Sequence, residues 1–86
     1  MNANWKLSVD GEALHFPPGA KARDRTVVLD GLERLLGEPH QPCDFVERSA
    51  NQRDYSVKVM GRFAVTYWLE PEKIVRVVRI LRIRGG

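Results

Sequence analysis

Apolar and polar residues alternate along Trp5-Lys6-Leu7-Ser8-Val9, the period-two pattern of a strand with one buried face, and Asp10-Gly11 then turns the chain. Residues 10–19 allow two readings, a short helical turn or a second hairpin arm, and Pro17-Pro18-Gly19 stops either one. From about Ala20 to Leu36 the period changes. Val28, Leu32 and Leu35, joined by Leu29 and Leu36, fall at the spacing of an amphipathic helix that Gly37 and Pro39 terminate. Asp24 suits a cap for a helix that starts late, whereas Lys21, Arg23 and Arg25 sit poorly at the positive end of the helix dipole if it starts early.

Beyond the proline-bearing loop the period returns to two. Phe45-Val46-Glu47-Arg48 predicts a short strand, Tyr55 to Met60 a second, Phe63 to Leu69 a third and Ile74 to Ile83 a fourth. Polar residues 49–54, Gly61-Arg62 and Glu70-Pro71-Glu72-Lys73 supply the turns. The expected fold is therefore α+β, a single domain spanning residues 1–86, with an antiparallel sheet of four to five strands and an N-terminal helix or helical pair packed on one face.

Strict alternation along the last three strands sorts their side chains into two faces. Tyr55, Val57, Val59, Phe63, Val65, Tyr67, Leu69, Val75, Val77, Leu81 and Ile83 are expected beneath the helix. Ser56, Lys58, Met60, Ala64, Thr66, Trp68, Ile74, Arg76, Val78, Ile80, Arg82 and Arg84 are expected on the opposite face, a mixture of cations, one Trp and medium apolar groups that wants a partner. Packing of Ile74, Val78 and Ile80 against a second copy is the expected route to a homodimer.

Charge sharpens this picture. The chain of 86 residues carries 14 Lys and Arg against 11 Asp and Glu, and the imbalance is local. Residues 1–43 hold five basic and six acidic side chains, residues 44–86 nine and five. After Lys73 come Arg76, Arg79, Arg82 and Arg84 with no acid at all, a pattern suited to a polyanion or an acidic partner. Arginine on a strand also discourages edge pairing, the plainer explanation.

Composition also excludes. No apolar run approaches the length of a membrane span and the first residues lack a signal-peptide apolar block, so a cytoplasmic protein without membrane association is expected. Cys43 has no partner for a disulfide, and with His15 and His40 it makes no spaced ligand set, so neither a metal nor a cofactor is expected. Glycine-rich phosphate loops and Ser/His/Asp arrangements are absent. Metal-independent RNA cleavage needs an acid and a base besides cations. The C-terminal half has no histidine, and Tyr55 and Tyr67 fall on the expected core face.

The order of elements, the segment from Asp54 to Trp68 and the Arg-studded last strand resemble the RelE/ParE toxin superfamily, as does Trp5-Lys6-Leu7-Ser8-Val9 ahead of a helix ending Leu35-Leu36-Gly37. The resemblance covers most of the chain. It implies a RelE-like fold and the toxin component of a type II toxin-antitoxin system, of the kind that includes plasmid stabilisation proteins. Its implied partners are a cognate antitoxin with an acidic helical segment and a target that is either mRNA on the ribosome or DNA gyrase. By position, Lys58 matches a family lysine on the strand before the hairpin, and Arg84 lies near a family arginine after the last strand. Lys58, Arg62 and Arg84 are then the catalytic candidates, and Lys58, Arg62, Trp68, Arg76, Arg82 and Arg84 the candidates for binding nucleic acid or a partner. The chain departs from the family in placing Ala64 where an arginine is frequent and in ending Arg84-Gly85-Gly86 without a C-terminal Tyr or His. These departures count against nuclease activity and leave open a gyrase-directed toxin or, as the alternative, a non-enzymatic interaction domain that retains the toxin-like scaffold.

Overall fold

The computed structural model describes residues 5–11, 21–50 and 53–83. It is an α+β domain whose elements run β1 (Lys6–Val9), α1 (Ala22–Gly37), β2 (Phe45–Arg48), β3 (Asp54–Met60), β4 (Phe63–Glu70) and β5 (Ile74–Arg82). The choice between helical turn and hairpin arm within residues 12–20 lies outside the described residues, as does Arg84.

One five-stranded sheet has the order β1-β5-β4-β3-β2. Strands β2 to β5 form an antiparallel meander, as short turns allow. The sheet is nevertheless mixed rather than antiparallel throughout, because β1 pairs with β5 in parallel. Each step of the meander carries the chain one strand toward β1, so β5 arrives beside it running the same way. Backbone bonds Lys6 N–H to Lys73 O and Asp10 N–H to Val77 O, both 2.9 Å, continue that junction at either end.

Helix α1 begins early, at Ala22, with Arg23 and Arg25 in its first turn and Lys21 rather than Asp24 at the N-cap; the Lys21 backbone N–H donates to the Asp24 carboxylate at 3.1 Å. Asp24 thus serves from the third helical position, reaching back, and its charge also faces the positive end of the dipole. At the other end Glu38 N–H donates to Arg34 O and Leu35 O, while the Gln41 side-chain amide donates to the carbonyls of Arg34 and Glu38. These bonds satisfy carbonyls that the last turn leaves open.

Val28, Leu32 and Leu35 are the buried stripe of α1, as their spacing requires. They pack on Met60, Phe63, Val65, Tyr67, Val75, Val77 and Ile80, with Trp5, Val9, Leu36 and Leu69 around them. The helix thereby covers one face of the sheet.

Two features overturn the simple alternation. First, the Gly61-Arg62 turn has only two residues, so Met60 lies directly opposite Phe63 and the pairs Lys58↔Val65 and Ser56↔Tyr67 follow. Directly opposed residues project to the same side. Ser56, Lys58 and Met60 therefore belong to the helix side, and Tyr55, Val57 and Val59 to the open side, the reverse of expectation. Second, the β4–β5 register slips between Thr66, opposite Arg79, and Tyr67, opposite Val77. Val78 is the extra residue of a bulge, and a bulge inverts the alternation beyond it. Ile80 turns into the core, Arg82 comes to lie opposite Phe63, and Leu81 and Ile83 go to the open face. With Ile80 buried, the expected dimer patch of Ile74, Val78 and Ile80 does not form.

Among the described residues no helix is long and apolar enough to cross a membrane.

Candidate functional site

The open face of the sheet carries two kinds of surface. Toward β1 and the end of β4 it is ionic. Arg76, opposite Trp68, donates from Nε to the Glu70 carboxylate and from Nη1 to Asp10 at 2.9 Å. The hydrogen bond to Glu70 first, and that to Asp10 second, hold the guanidinium in its charged form and raise its pKa. Arg76 was expected to face a phosphate or a partner; it is instead enclosed by two carboxylates of its own chain. Trp68 is half-buried, and the Arg53 guanidinium carbon stands 3.8 Å from its ring centroid. A base seeking to stack on that ring would have to displace the arginine.

Across the middle runs Arg79. From β5 its Nη2 donates to the Glu47 carboxylate on β2, passing over β4 and β3. Beneath it Thr66 and Val57 are buried, although neither belongs to the core cluster under the helix. The two long side chains act as their cover, apolar stems down and charges paired. Arg79 Nε is buried without a hydrogen-bond partner.

At the other end, near the β3–β4 turn, the open face is apolar. Phe45, Val59, Leu81 and Ile83 are 60%, 38%, 51% and 39% exposed, with Ala64 between Val59 and Leu81 in register. Ile83 N–H donates to Arg62 O at 2.8 Å, which holds this edge together past the end of β5. A cluster of large apolar side chains left exposed on a small domain is the kind of patch that marks an interaction site.

The remaining candidates scatter. Lys58 lies on the helix side, and its Nζ donates to Pro42 O at 3.0 Å. Arg62 lies in the turn, lining a groove of about 340 Å³ with Lys21, Arg23 and Asp24. Arg82 is exposed at the end of β5. Both lie toward the helix side, Arg82 opposite Phe63 and Arg62 beside the start of α1, and neither pairs with a carboxylate among the described residues.

Tyr67 is fully buried on the helix side, opposite Ser56. Burial is the main reason its pKa is raised, with the nearby Cys43 and Asp44 adding to the effect and the Ser56 hydrogen bond opposing it. A phenol so held is a core group rather than an acid facing substrate. His40 packs edge-on against Trp5, the centroids 5.6 Å apart.

The residues that shape this face, Arg79, Glu47, Val59 and Leu81, were not site candidates from the sequence. Their placement depends on the two-residue turn and on the bulge at Val78. The turn had a signal in Gly61-Arg62; the bulge had none.

Comparison with protein-family models, curated proteins and solved structures finds no match to this chain.

Proposed function

We propose that this chain is a protein-interaction domain on a RelE/ParE-like scaffold, which receives a partner polypeptide on the apolar end of its open sheet face. One observation carries the reading: Phe45, Val59, Leu81 and Ile83 are exposed together while the arginines of the same face, Arg76 and Arg79, are already paired with Glu70, Asp10 and Glu47. A surface built to grip phosphates would leave its guanidinium groups free to do so. The chemistry of the partner follows from the patch itself. Exposed Val59, Leu81 and Ile83 call for an amphipathic segment that lays an apolar stripe against them, while Arg82, opposite Phe63, and Arg62, beside Lys21 and Arg23, lie toward the helix side. An antitoxin-like segment, which the resemblance implies, has that chemistry.

The test is inducible expression in a bacterial host, alone and with the product of the neighbouring reading frame, followed by purification of the pair and calorimetry. Binding that falls roughly tenfold or more for Leu81→Glu, and stays within about twofold for Arg76→Ala, is the expected result. Equal affinity of Leu81→Glu and the parent would place the partner elsewhere. Growth arrest accompanied by new codon-aligned mRNA ends would return the chain to the nuclease reading, and early loss of DNA synthesis to a gyrase-directed toxin.

A further inference from the structure

On the other side of the sheet, a cleft of about 310 Å³ opens between α1 and the β3–β4 hairpin. Val27, Gly31 and Arg34, spaced at i, i+4 and i+7, line it from the helix; Lys58 and Met60, two residues apart, line it from β3. Two glycines bring these elements together. A Cβ on Gly31 would fall 2.6 Å from Met60 Sδ, and one on Gly61 2.8 Å from Val27 Cγ1.

The polar part of the lining is one-sided. No carboxylate lines the cleft, and neither Arg34 nor Lys58 pairs with one among the described residues. Asp30 and Glu38 stand one turn to either side of Arg34 and make no ion pair with it. Lys58 gives one N–H to the neutral carbonyl of Pro42, which leaves two of its three donors. Arg34 and Pro42 also sit on pinned backbone, because Gln41 lies between them and its N–H and side-chain amide bond back to Glu38 and Arg34 carbonyls. Two cations therefore share a preorganised recess whose apolar walls are Val27 and Met60.

We propose that this cleft binds a small organic anion, its carboxylate or phosphate monoester head between Arg34 and Lys58 and a short apolar stem against Val27 and Met60. Two like charges that line one cleft gain from an anion that accepts charge-assisted hydrogen bonds from both, and apolar walls beside them suit a ligand that is not purely ionic. The site is separate from the open face and does not depend on the partner docking there.

Titration of the ¹⁵N-labelled full chain with hexanoate and hexyl phosphate, followed by amide chemical shifts, tests it. Saturable shifts concentrated at Gly31, Gln41 and residues 58–61 are expected, with the apparent affinity lowered roughly fivefold or more by Lys58→Met or Arg34→Met. Lys58→Arg should retain binding, and Arg62→Met should leave it unchanged, which separates a local effect from a general loss of positive charge. Shifts that fail to saturate, that appear equally with hexanol, or that centre on Lys21, Arg23 and Arg62 would overturn the proposal. So would inorganic phosphate binding as tightly as hexyl phosphate, since the apolar wall would then contribute nothing.

Discussion

Arg79 and Glu47 form an ion pair across the two strands that separate them, and Val57 and Thr66 are dry beneath it. The half of that arrangement which matters for stability is the cover, since an exposed ion pair contributes at most about 1 kcal/mol while the unpartnered buried Arg79 Nε costs about 1–3 kcal/mol. Arg79→Met keeps an apolar stem over Val57 and removes the orphan donor, so urea unfolding should show equal or higher stability. Arg79→Ala uncovers the pair and should lose about 1–2 kcal/mol. A large loss for Arg79→Met would make the ion pair itself the stabilising element.

Gly31 reverses the usual helix preference. Alanine in a helix interior is favoured over glycine by about 1 kcal/mol, but here its Cβ would meet Met60 Sδ at 2.6 Å and Cγ at 2.8 Å in the core. Gly31→Ala is expected to destabilise by about 1–3 kcal/mol. Gly31→Ala with Met60→Ala should cost less than the sum of the two single changes, because the small side chain at 60 removes the clash. Additive losses in chemical denaturation would show that the helix does not press on Met60.

Lys73 has φ 61° at the close of the β4–β5 turn, where its N–H donates to Glu70 O at 3.2 Å and its carbonyl receives Lys6 N–H. A side chain in the left-handed region costs about 1 kcal/mol, and glycine avoids it. Lys73→Gly should raise the thermal midpoint, with Lys73→Val lowering it. The opposite order would mean that the Lys73 side chain holds the turn.

Tyr67 sets an alkaline limit. Its pKa is raised in the folded protein, chiefly by burial, so above the ordinary tyrosine value near 10 the unfolded chain binds fewer protons than the native one. Stability is then fully present below that value and falls as pH rises toward the folded pKa. Urea midpoints measured from pH 8 upward should decline beyond about pH 10, and Tyr67→Phe should flatten the decline while losing about 1 kcal/mol at neutral pH with the Ser56 bond. An unchanged slope for Tyr67→Phe would assign the alkaline loss to other groups.

What the sequence by itself determined was local. Val28, Leu32 and Leu35 announce the buried stripe of α1 because a helix face repeats on its own period, and Phe45, Met60, Phe63 and Ile74 fall at strand ends marked by glycine, proline and polar runs. Which side of the sheet each strand residue faces was decided only by the tertiary structure. A two-residue turn puts Met60 opposite Phe63 and so sends Lys58 to the helix side, and the extra residue at Val78 moves Ile80 inward and Leu81 outward. One residue of register exchanges the faces of a strand. The fate of the arginines is likewise nonlocal: Arg76 meets Asp10 across 66 positions of sequence and Arg79 meets Glu47 across 32. A charge pattern read along the chain counts these cations as available, because the carboxylates that pair with them are brought close only by folding.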